Sequence, residues 1–139
     1  MDKNVGGKLE SRIKNCLITL LPFVVLYLLS KTVFDNIYLF NWTARNFYLF
    51  LWILAIAFAI LGKMIYAKAI SFGNIVGILI GQFFGDFLRN KNMAKITESM
   101  TEEQKYHLRS HKGVAIWLAI ILISLILAYI ITRKNKDIG

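Results

Sequence analysis

Two groups of residues in this chain have the types and spacing to do chemistry. Glu103, His107 and His111 recur at intervals of four, which in a helix places them on one face. Two imidazoles at that spacing can ligate one metal ion, with Glu103 as a third, oxygen ligand. The residue after His107 is Leu108, where the metalloprotease signature requires glutamate, so no general base stands ready for hydrolysis. The plainer reading is a pair of titratable histidines at a membrane surface, among Lys105, Arg109 and Lys112. Protonating both, at about pH 6, would raise the charge of the segment and alter its grip on anionic lipid.

Asn74, Gln82 and Asp86 form the second group. They share a helical stripe with Ile78, turned about 100° from a row of glycines. Polar side chains inside a membrane span point into protein or water rather than lipid. The economical reading is interhelical hydrogen bonding by Asn74 and Gln82, with Asp86 at the interface paired to Arg89. The sharper reading is a polar path for a small solute or ion.

Beyond these groups the chain offers little chemistry. No serine or cysteine sits near a plausible base, no phosphate-cradling loop is present, and no paired carboxylates fall inside an apolar run. Catalysis is therefore not expected, and no cofactor is implied. Cys16 is the one cysteine, which removes any disulfide framework or paired-thiol motif. The net charge is +9, but aromatic residues are not interleaved with the basic ones as a base-stacking groove requires. That charge implies anionic headgroups as the partner, and no nucleic acid.

The positioning elements follow from composition. Of 139 residues 57% are hydrophobic, and the mean hydropathy of +0.55 comes from long apolar runs. The expected fold is an all-α integral membrane protein, a single domain over 1–139. Four transmembrane helices at about 14–33, 47–66, 70–88 and 114–132 form an antiparallel bundle, with a polar loop carrying a short helix at 89–113. Pro22 lies inside the first span and predicts a modest kink there. Phe34, Tyr38, Trp42, Phe47, Tyr48 and Trp52 lie in a stretch that reads as an interfacial elbow between the first two spans, an aromatic-lined cleft being the other possibility. Ser99 with Glu102 and Thr101 with Gln104 both fit a capping box, so a short helix starts near residue 100. It is free to continue into the last span, with Gly113 the place to bend.

The third span organises the rest. Gly73, Gly77, Gly81 and Gly85 fall on one face at intervals of four. In a water-exposed helix each would cost about 1 kcal/mol against alanine. In a bilayer such a row lets a neighbouring helix approach closely, and it reads as a packing seam. Within it Gly77 and Gly81 are the expected sensitive sites, and Gly85, near the membrane surface, the more tolerant one. A three-span alternative makes this glycine-rich segment a re-entrant hairpin, which would segregate Lys and Arg more one-sidedly than four spans do.

Over Val76–Gly85 the chain resembles the glycine-rich pore helix of the large-conductance mechanosensitive channel. In that family the helix is the first span, whereas here two spans precede it, and the likeness covers ten of the 139 residues. Three functions then compete. One is a self-associating unit or accessory subunit of a larger membrane complex, docked through the glycine face. Another is a small oligomeric channel or transporter with Asn74, Gln82 and Asp86 along its path. The third is a membrane metal site at Glu103, His107 and His111. The packing signal favours the first. The basic leading segment places both termini in the cytoplasm, and the frequent Ile, Lys and Asn suit a bacterial plasma membrane.

Overall fold

A computed structural model describes residues 3–138, with side chains from Val5 onward. It is all-helical: α1 (Lys3–Thr32), α2 (Tyr38–Arg45), α3 (Leu51–Ile60), α4 (Met64–Met93), α5 (Glu102–Arg109) and α6 (Gly113–Asp137). Three of these, α1, α4 and α6, are long and apolar enough to cross a membrane. The pair formed by α2 and the segment through α3, bent by 58°, provides a fourth candidate if counted as one span.

α1 runs through Pro22 without interruption. A bilayer helix tolerates the missing N–H because nearby groups re-satisfy the freed carbonyl. α4 is one continuous helix of 30 residues, about 45 Å long. The re-entrant glycine-rich hairpin is therefore not formed. Four glycines do not break a helix whose alternative is unpaired backbone.

The bundle's main joint is α4 against α6. A Cβ built on Gly73 would meet Ser124, one on Gly77 would meet Trp117, and one on Gly81 would meet the Gly113 carbonyl. Positions rise on α4 as they fall on α6, so the two helices are antiparallel. The seam expected to receive a neighbour is filled by the chain's own last helix. α1 is tied to α4 lower down, where the buried Ser71 hydroxyl donates to the Thr19 carbonyl at 3.0 Å. Near the other end of α4, Leu39 N–H donates to Gln82 Oε1 at 2.7 Å. Leu39 follows the end of α1 by seven residues, a reach that requires α1 and α4 to rise in the same direction.

The expected second span over 47–66 is not one helix. Phe47, Tyr48, Leu49 and Phe50 all have positive φ, between 48° and 60°, and form a short left-handed turn. This turn separates α2 from α3 and reduces α3 to ten residues. Gly62, at φ +74°, then reverses the chain into α4. The aromatic stretch is divided between core and surface. Phe40 and Tyr48 are buried, and Tyr48 packs edge-on to Phe23 with centroids 5.6 Å apart. Trp42 meets Trp117 edge-on at 6.3 Å, while Phe47 and Phe50 stack on the exterior.

Candidate functional site

Where the apolar run of α4 ends, four elements meet around His111. Gln82 stands one turn below Asp86 on α4, and its Nε2 donates to Asp86 Oδ2 at 2.6 Å. The same amide accepts from Leu39 N–H at the start of α2. That N–H belongs to the first turn of a helix and has no partner within it, so Gln82 caps α2 from another element. Asp86 Oδ1 lies 3.2 Å from His111 Nε2. Gly113 N–H, the first of α6, donates to His111 Nδ1 at 3.0 Å. A backbone N–H can only donate, so Nδ1 is bare and the ring proton sits on Nε2, pointing at the carboxylate.

The imidazole lies in a slot with no room for side chains. A Cβ on Gly85 would collide with the ring, reaching Nδ1 at 2.7 Å and Nε2 at 2.8 Å, and one on Gly113 would meet Nδ1 at 2.7 Å. Tyr38 covers the ring from α2, with centroids 4.4 Å apart. The His111 side chain is 4% exposed against 51% for Asp86. This burial draws the histidine below its usual pKa, outweighing the nearby Asp86 carboxylate, and the Arg89 charge pushes the same way.

Deeper in the bundle, Asn74 Oδ1 accepts from Trp117 Nε1 at 3.0 Å, and both residues are fully buried. Asn74 Nδ2 has no partner. Ile78, also fully buried, separates this pair from Gln82. Of the polar stripe, then, Gln82 and Asp86 are in direct contact and Asn74 stands apart with Trp117. The expected pairing of Asp86 with Arg89 is replaced by the contacts to Gln82 and His111.

The group Glu103, His107 and His111 does not assemble. α5 ends at Arg109, and Ser110 is extended, so His111 leaves the helical face that carries Glu103 and His107. His107 instead stands beside Tyr106. No cluster of three metal-ligating side chains occurs among the described residues. α5 does begin at the expected capping box. Thr101 accepts from Gln104 N–H, and Gln104 accepts from Thr101 N–H at 3.0 Å, whereas the Ser99–Glu102 box is not used. The helix stops before α6 rather than continuing into it.

Beside the imidazole, a cavity of about 240 Å³ opens between α2, the end of α4 and α5. Its walls are Tyr38, Arg89, Tyr106, Arg109, Ser110 and His111. The sequence marks Tyr38 only as one of the aromatic residues of an elbow or cleft, and it does not mark Trp117 or the Gly113 N–H as parts of a site. Only the last had a local signal, a histidine two positions before a glycine that opens an apolar helix. No family model, curated protein or solved structure matches the chain.

Proposed function

We propose that this chain is a small integral membrane protein with four crossings that acts by association rather than catalysis, as a self-associating unit or an accessory subunit of a larger membrane complex. The direction of α1 and α4 supports four crossings. Two helices rising in the same sense require the chain to return between them, and α2, the left-handed turn and α3 are the segment available. With an even number of crossings both termini share a side, and the basic leading segment supports the cytoplasm of a bacterial plasma membrane.

One observation carries the association reading. The polar side chains of the α4 stripe bond within the chain, Asn74 Oδ1 to Trp117 and Gln82 to Leu39 and Asp86, with Asn74 Nδ2 left without a partner. Such bonds hold helices together, each contributing about 0.6 kcal/mol on average in membrane interiors. The glycine seam is likewise closed by α6. A partner would therefore meet the outer faces of the bundle, with the seam keeping the unit rigid.

The test is native mass measurement in mild detergent, identifying any second copy or co-purifying membrane protein. A monodisperse single chain, obtained alone after gentle extraction from its own membrane, overturns the reading. The half-exposed carboxylate of Asp86 favours one competitor, a small oligomeric channel or transporter. Solute or ion flux in liposomes that is lost in Asp86→Asn would establish that competitor instead.

A further inference from the structure

The cavity beside His111 has a one-sided charge. Two guanidinium groups line it, Arg89 from the end of α4 and Arg109 from the end of α5, and no carboxylate does. Among the described residues the ion pairs are Lys105 with Glu102 and His111 with Asp86, and neither involves these arginines. The remaining walls supply hydroxyls that can turn to donate: Tyr38, Tyr106 and Ser110. Both nitrogens of His111 are already engaged, so its ring acts as a fixed wall. The Arg89 charge is felt at that ring, where it opposes protonation against the larger, opposite pull of the Asp86 carboxylate.

We propose that this cavity binds a phosphate group, held in the forks of Arg89 and Arg109 and by the hydroxyls of Tyr38, Tyr106 and Ser110. Arginine's planar fork matches phosphate oxygens two at a time, and two arginines lining one space are the composition that phosphate recognition uses. The volume, about 240 Å³, lies below the range of about 300–1,000 Å³ occupied by drug-sized ligands, and suits a phosphate with a short ester substituent. Arg89 stands three residues beyond Asp86, where α4 leaves its apolar run. In a four-crossing chain that is headgroup depth, so the phosphodiester of an anionic lipid and a free phosphate ion are the two sources.

The experiment measures retention of phosphatidylglycerol and phosphatidylcholine by the full chain in mild detergent, using native mass spectrometry. Inorganic phosphate serves as competitor. Arg89→Gln and Arg109→Gln should each weaken phosphatidylglycerol retention about fivefold. Lys95→Gln, which removes the same charge from the exposed loop beyond α4, should leave it within about twofold. Arg89→Lys should lie between wild type and Arg89→Gln, since it keeps the charge but loses the fork. Thermal midpoints of the variants serve as the folding control. Competition by millimolar phosphate would identify the free ion as the ligand, and retention without competition the lipid; both support a phosphate site. Equal loss in Lys95→Gln and the arginine variants overturns the proposal, because diffuse attraction would then suffice. No binding of either probe also overturns it.

Discussion

Asp86 and His111, twenty-five positions apart, meet through Oδ1 and Nε2 at 3.2 Å, and this contact closes α6 onto the end of α4. It joins three separate needs. His111 satisfies the first N–H of α6, Asp86 orients the ring so that Nδ1 is free to do so, and Gln82 holds Asp86 while capping α2. Removing His111 leaves the Gly113 N–H and Asp86 Oδ1 without these partners at once.

The joint gives a pH dependence with a definite sign. The folded state holds His111 below its usual pKa, so the unfolded chain takes up the proton first as pH falls. Stability attributable to this residue is fully present above about pH 6.5 and declines on acidification below it. Protonation would also place a hydrogen on Nδ1 against the Gly113 N–H, so the loss extends to the start of α6. Thermal melts between pH 7.5 and 5.5 should show a falling midpoint in the wild type. His111→Asn, whose side-chain oxygen can replace Nδ1 as an acceptor but does not titrate, should flatten that slope. An unchanged slope in the variant would remove His111 as its origin.

The glycines of α4 should differ in their tolerance of alanine, in an order set by what each faces. At Gly81 the new methyl meets the Gly113 carbonyl, and at Gly77 it meets Trp117, including its carbonyl oxygen at 3.1 Å. Backbone cannot step aside, so each should cost about 1–3 kcal/mol. Gly73 faces the Ser124 hydroxyl, which can rotate, and should be the mildest. Gly85 faces the anchored imidazole and should resemble Gly77, not the tolerant surface site expected from its place near the membrane edge. A double-mutant cycle checks the cause: Gly85→Ala should cost less in a His111→Ala background than in the wild type. Additive costs would mean that the ring is not the obstacle.

How much of this was legible in the sequence depends on the range of the interaction. The row Gly73 to Gly85 announced close packing, because a spacing of four is a property of one helix. That α6 and not another molecule fills it needed tertiary structure, since Trp117 lies 43 positions from Asn74. The capping box at Thr101 is local and was readable, whereas the stop at Ser110 was not, because no proline or glycine marks it. The left-handed turn at Phe47–Phe50 had no signal at all: aromatic and leucine residues are poor candidates for positive φ, and the packing of buried Tyr48 against Phe23 is a contact distant in sequence. Without that turn the stretch 47–66 reads as one helix, whereas α3 runs only Leu51–Ile60. His111 was grouped with His107 by helical spacing, and the end of α5 between them dissolved the group.

The Asn74–Trp117 bond should be measurable by itself. Trp117→Phe keeps an aromatic ring against Gly77 but removes the indole N–H, leaving Asn74 with neither its oxygen nor its nitrogen paired. The expected loss is about 1–2 kcal/mol, from the missing bond and the buried amide left behind. Asn74→Ala should cost a similar amount by orphaning the indole. The double variant Asn74→Ala with Trp117→Phe should lose less than the sum, since the two polar groups disappear together. Chemical denaturation in detergent reads all three, and strict additivity would show that the two side chains do not interact.

The left-handed turn predicts a substitution that stabilises. Leu49 has φ 48° and ψ 36°, a conformation that costs an L-residue about 1–2 kcal/mol and glycine little. Leu49 is 43% exposed, so removal of its side chain leaves no cavity in the core. The turn's own hydrogen bond, Leu49 N–H to the Asn46 carbonyl at 2.9 Å, survives the change because it is made by backbone. Against the relief stands the greater freedom glycine gives the unfolded chain, about 0.5–1 kcal/mol. Relief exceeds that cost, so Leu49→Gly should raise stability by about 0.5–1 kcal/mol. Tyr48→Gly at the same backbone geometry should do the opposite, because Tyr48 is buried against Phe23 and its loss opens a void worth about 3–5 kcal/mol. Thermal midpoints of the two variants moving in opposite directions would establish that packing at Tyr48 holds the turn against its own backbone preference. A destabilised Leu49→Gly would show that residue 49 does not hold the left-handed conformation.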